Sequence, residues 1–148
     1  MNHPSFNYDV YKSANPNCEV LRWFPGSYDE AELTYELGQC FTTRRIQPSQ
    51  ELHHILGSSG GCKRVDHISN VIQVSRVAHQ WLETHKKAGM VLCLWIKRDK
   101  GELDWNALQE IAAKDVKSYL TTSSVASCCE RFPWIEEMRL ELVDVLDS

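Results

Sequence analysis

A run of glycine and serine, Gly57 to Gly61, parts two short apolar segments, and a helical pattern follows the second. This arrangement constrains the fold more than any other stretch of the chain. Leu52–Leu56 reads as a short strand. The Gly/Ser run is a loop, and glycine there also lets a backbone come close to a phosphate. Val71–Ser75 (VIQVS) is β-branched and mostly apolar, a second strand. Ser75 is placed to cap a helix over Arg76–Lys87, with Val77, Trp81 and Leu82 on one side and Gly89 as its stop. The order strand, loop, strand, helix is thus packed into residues 51–87.

Around this unit the patterns are mainly helical. Residues up to Pro25 read as irregular, broken by Pro4, Pro16 and Pro25. Ser27 caps an expected helix over Tyr28–Leu37 that Gly38 would end, and Gln39–Ile46 is expected to be extended before a turn at Pro48. Val91–Ile96 is compatible with a strand or with part of a helix. Asp104 caps an expected helix to about Leu120, with Leu108, Ile111, Ala112 and Val116 as its apolar stripe. TTSSVAS reads as a polar linker, and Phe132–Leu146 as a last helix. The expectation is a single α+β domain over 1–148, with the core at 51–87, surrounding helices, and a helical extension at 102–146.

Composition removes several classes. Apolar residues are 43% and charged residues 24% of the 148, as in soluble globular proteins rather than disordered ones. The longest apolar run, Met90–Ile96, is too short to span a membrane, so no membrane partner is expected. The first residues lack the basic and apolar regions of a signal peptide. Six cysteines form no C-x-x-C pair, which points to a reducing cytosol with small buried thiols. Net charge is −4, unevenly spread: residues 41–100 carry +6, the residues before them −4 and those after them −6. A basic centre between acidic flanks suits a polyanion, although a solvated mixed surface accounts for the charges equally well.

The chemistry-bearing residues fall inside the same unit. His53 and His54 are adjacent on the first strand, Asn70 precedes the second, and His79 lies near the helix start. Singly these are commonplace: a packed pair, a turn residue, a helix-surface histidine. In this order and spacing they resemble the HNH endonuclease family, including colicin-type DNases and phage enzymes, over about a quarter of the chain. The resemblance implies a ββα-metal core and metal-dependent hydrolysis of nucleic acid, with DNA as the expected partner. It implies His54 as general base, which suits an imidazole's near-neutral titration. Asn70 would hold the loop and the catalytic imidazole, and His53 and His79 would bind the metal. Where colicin-type enzymes place another histidine four residues on, this chain has Glu83, on the same helix face as His79. Glu83 is therefore the first candidate for third ligand, with Asp66 second and His85 third. The divalent ion (Mg, Mn, Zn or Ni) stays open, a carboxylate favouring the harder cations.

Arg76, Lys63, Arg64, Lys86 and Lys87 are the expected nucleic-acid contacts, Arg76 foremost because helix N-termini attract anions. Lys97, Arg98 and Lys100 form a second basic group beside Trp95 and Trp105, tryptophans that are more often core than base-stacking. The resemblance places such a chain in the cytoplasm of a bacterial host if it is phage-encoded. The competing expectation is a non-catalytic, metal-stabilised nucleic-acid-binding module. Four protein ligands would mark that case, three plus water the enzyme.

Overall fold

The computed structural model describes residues 6–24, 33, 35–37, 44–57, 65–112 and 115–147. Among these the fold is mixed, mostly helical, with a two-stranded antiparallel sheet of β1 (Glu51–His54) and β2 (Val71–Val74). The strands pair Glu51 with Val74, Leu52 with Gln73, His53 with Ile72 and His54 with Val71. Both strands match the expected segments to within a residue or two. The expected helix over 28–37, the extended run at 39–46 and the Gly/Ser loop lie largely outside the described residues.

The N-terminal region corrects the irregular reading. It holds α1 (Tyr8–Ala14) and α2 (Glu19–Trp23). Asn7 caps α1, its side chain accepting from the Val10 amide at 3.1 Å. The prolines fall between or beyond these helices and so break neither. After β2 comes α3 (Arg76–Thr84), whose cap is Ser75 as expected, its hydroxyl accepting from the Ala78 amide.

The expected single helix through Lys87 breaks at His85, and α4 (Lys86–Asp99) begins at once. Gly89 is no stop; it sits inside α4 against α3. A Cβ there would meet Leu82 Cδ2 at 2.9 Å and the Leu82 Cα and carbonyl oxygen at 3.3 Å. Glycine is what lets the two helices approach so closely. Val91–Ile96 is helical, and α4 is buried on nearly every side, as a central helix must be. It packs against α2, α3 and two C-terminal helices, α6 (Thr122–Cys129) and α7 (Trp134–Asp147).

Asp104 caps α5 (Trp105–Ile111), accepting from the Ala107 amide at 3.2 Å. That helix ends early, and a 3-10 turn over Val116–Leu120 follows, not a continuation. The expected linker is α6 itself, capped by Thr121. Residues of 51–87 and of 102–146 share one buried apolar cluster. No helix of the described residues is long and apolar enough to cross a membrane.

A polar network lies behind the sheet. Glu19, 3% exposed, accepts from the Tyr11 hydroxyl and from Lys100 Nζ, and its Oε2 takes the Gln73 amide at 2.8 Å. The Tyr11 hydroxyl also reaches the Val71 carbonyl at 3.3 Å. Lys97, fully buried, donates to Tyr11 at 2.7 Å and to Glu102 at 2.9 Å. The basic group expected at residues 97–100 is thereby largely dismantled. Lys97 is spent on the part-buried Glu102 and Lys100 on the buried Glu19, and Arg98 pairs with Glu141 at 3.2 Å. Trp95 donates its indole N–H to the same Glu141.

Candidate metal centre

Alternation along β1 sorts its side chains onto two faces. Glu51 and His53 meet α3, while His54 turns the other way. Helix α3 then supplies His79 and Glu83, one turn apart on the same face. His79 Nε2 lies 3.3 Å from Glu83 Oε1, and His53 Nδ1 lies 3.7 Å from the same oxygen. The two imidazoles meet edge to face, with ring centres 5.1 Å apart. One ligand atom from each of His53, His79 and Glu83 falls within 4.8 Å of the others.

The 3.3 and 3.7 Å separations from Glu83 suit a shared cation. Ligand atoms about 2.1 Å from a tetrahedral ion stand about 3.4 Å from one another. The 3.7 Å separation exceeds hydrogen-bond reach, so His53 and Glu83 do not satisfy each other directly. Two imidazole nitrogens and a carboxylate form a donor set suited to a borderline divalent ion. Both histidines are half-buried and Glu83 is exposed, so the cluster opens on its carboxylate side. An open groove follows that side. Its described lining is Glu51, Arg76, His79, Gln80, Glu83 and Thr84.

His54 is not among these lining residues. Its Nε2 stands 2.5 Å from Asp66 Oδ1, with side-chain exposures of 11% and 23%. Asp66, the second-ranked ligand candidate, is thus engaged with His54 instead of the cluster. A carboxylate at Nε2 favours the tautomer with the proton there and the lone pair on Nδ1. Asn70 has no exposed surface and spends its amide on backbone. Its Oδ1 accepts from the Leu56 amide at 2.7 Å, and its Nδ2 donates to the Leu56 and Val65 carbonyls at 3.2 and 2.9 Å. It thereby clasps both ends of the segment between the strands. The amide fixes the backbone that follows His54.

His85, the third-ranked candidate, points elsewhere. Its Nδ1 lies 3.1 Å from the Trp81 carbonyl, and its ring stacks on Trp81 and meets Phe132 edge to face. Arg76 opens α3 and lines the groove, exposed. Lys86 is exposed at the start of α4, and the Lys87 ammonium sits 5.6 Å from the Tyr119 ring centre. Lys63 and Arg64 lie outside the described residues.

Glu51 is the residue that the sequence reading passed over. Its Oε1 lies 3.1 Å from His79 Nδ1. The available signal was its position two residues before His53, which puts it on the same strand face. Searches of protein-family models, curated proteins and solved structures returned no match to this chain.

Proposed function

We propose that the chain is a metal-dependent endonuclease of the HNH type, with β1, β2 and α3 as a ββα-metal core and DNA as substrate. One observation carries this reading: the donor atoms of His53, His79 and Glu83 gather within 4.8 Å of one another. They do so on the strand–strand–helix unit where the sequence motif lies. A divalent cation held there would act as a Lewis acid on the scissile phosphate and the leaving oxygen.

The chain's own residues supply the rest. His54, paired with Asp66, would take a proton from the attacking water. The water oxygen forms the new bond to phosphorus as the bond to the 3′-oxygen breaks. That oxygen leaves as a hydroxyl after taking a proton from solvent, and the 5′-phosphate stays on the other fragment. Asn70 is a positioning residue that fixes the chain just after His54. Arg76, at the groove, would hold a neighbouring phosphate, and Lys86 and Lys87 would add positive charge.

The test is cleavage of supercoiled plasmid by purified protein with magnesium, manganese, zinc or nickel. Nicked or linear product is expected, and His54→Ala should lose about 10²- to 10⁴-fold in rate. Intact plasmid with all four ions, or a His54→Ala variant as fast as the parent, overturns the proposal.

A further inference from the structure

We infer that Glu51 is a positioning residue for the metal centre: its carboxylate fixes the ring of His79 so that Nε2 faces the cation. The inference rests on the reading of His53, His79 and Glu83 as a cation site, and it adds a fourth side chain with a different task.

The two nitrogens of His79 each face a carboxylate. Nδ1 lies 3.1 Å from Glu51 Oε1, and Nε2 lies 3.3 Å from Glu83 Oε1. A neutral imidazole carries one N–H. With that proton given to Glu51, Nε2 turns a lone pair towards an oxygen that also bears lone pairs. Two acceptors at 3.3 Å need positive charge between them, which a proton on Nε2 or a cation bound to Nε2 and Oε1 would supply.

The two carboxylates are not equivalent. Nδ1 and Nε2 leave the ring on opposite sides, so Glu51 does not compete for an ion held by Nε2. Glu51 is also the more enclosed, 31% exposed against 58% for Glu83. It is fixed on a strand paired to β2, opposite Val74, whereas Glu83 sits on the open side of a helix. A rigid inner carboxylate that sets the tautomer, and an outer one that binds the metal, form a carboxylate–histidine–metal relay. Loss of such a partner behind a ligating histidine costs about 10- to 100-fold in metal affinity.

The experiment is calorimetric titration of the full chain with zinc, and separately with manganese. It compares the parent with Glu51→Ala, Glu51→Gln, Glu83→Gln and His79→Ala, each checked for fold by circular dichroism. Glu51→Ala should bind one ion still, about 10- to 100-fold more weakly. Glu51→Gln, whose amide oxygen still accepts from Nδ1–H, should recover most of the affinity and keeps the test valid if Glu51→Ala fails to fold. Long-range ¹H–¹⁵N spectra should show His79 as a single tautomer protonated at Nδ1 in the parent and as mixed tautomers in Glu51→Ala. If Glu51→Ala binds like the parent while His79→Ala does not bind, the inference fails and the cation site stands. If Glu51→Gln loses as much as Glu83→Gln, Glu51 is a ligand and the positioning role is overturned. If the parent binds neither ion, the cation site fails and the inference with it.

Discussion

Replacing Asn70 tests how the site is held together, separately from any chemistry it performs. The side chain is fully buried and makes three hydrogen bonds to the backbone of Leu56 and Val65. Asn70→Ala strands one buried N–H and takes a donor from each of two carbonyls. An orphaned buried donor costs about 1–3 kcal/mol, and a carbonyl with a second lone pair costs less, so about 2–4 kcal/mol in all is expected. With a urea slope of about 2 kcal/mol/M, the unfolding midpoint should fall by about 1–2 M. Asn70→Asp sharpens the test because its shape is the same. One oxygen keeps the Leu56 amide, but the other has no hydrogen and faces two carbonyl oxygens at 2.9 and 3.2 Å. At pH 7 Asp should therefore be worse than Ala, despite keeping one more hydrogen bond. Urea denaturation followed by circular dichroism reads both variants. A midpoint for either within about 0.3 M of the parent, or Asp milder than Ala, would refute the clasp.

Two further outcomes follow from the packing and from the buried network. Gly89→Val should cost about 2–3 kcal/mol by overpacking against Leu82, outweighing the helix propensity gained over glycine; Leu82→Ala should recover part of it, and a neutral Gly89→Val in thermal melts counts against the contact. Burial drives the Cys93 thiol and the Tyr11 hydroxyl well above their ordinary values, and the Glu19 carboxylate pushes both the same way. The unfolded chain releases these protons from about pH 8.5 and pH 10 while the folded chain keeps them, so both contributions fall as pH rises. Burial lowers Lys97, against the pull of Glu19 and Glu102, and its contribution runs the other way, rising with pH up to its ordinary value near 10.5. Comparing Cys93→Ala with the parent isolates one slope: the parent's advantage should shrink by about 1.4 kcal/mol per pH unit above pH 8.5. A constant difference in urea midpoint between pH 8 and 10 would sink that assignment.

The parts of the fold that local chemistry dictates were legible in the sequence. Both strands, the caps at Ser75 and Asp104, and the last helix follow from alternation, β-branching and capping residues. Helix α4 was ambiguous because a helix buried all round has no polar face to mark its period. Gly89 resembled a stop because the reason for a glycine there is Leu82 on the neighbouring helix, a tertiary fact. TTSSVAS reads as a linker because serine and threonine are weak helix formers, and only packing against α4 and α7 makes Thr122–Cys129 helical. Lys97 looked like a surface cation because its partners, Tyr11 and Glu102, come from outside its own helix. Within the site, the grouping of His53, His79 and Glu83 follows from one strand position and a one-turn helix spacing. The pairing of Asp66 with His54 did not, because it depends on how the chain returns from β1 to β2.

The polar network behind the sheet bears on how this chain keeps from associating with itself. A two-stranded sheet has little but edges, and an open edge invites a strand from another copy. In the pairing of β1 with β2, the Gln73 N–H and the Val71 carbonyl turn away from β1. Both are already taken, by the Glu19 carboxylate and the Tyr11 hydroxyl. An incoming strand would have to displace a buried carboxylate and a phenol to dock there. Helices α1 and α2 therefore cover the β2 edge of the sheet with side chains instead of a third strand. On its β2 side, the sheet that carries the histidines is closed to an incoming strand.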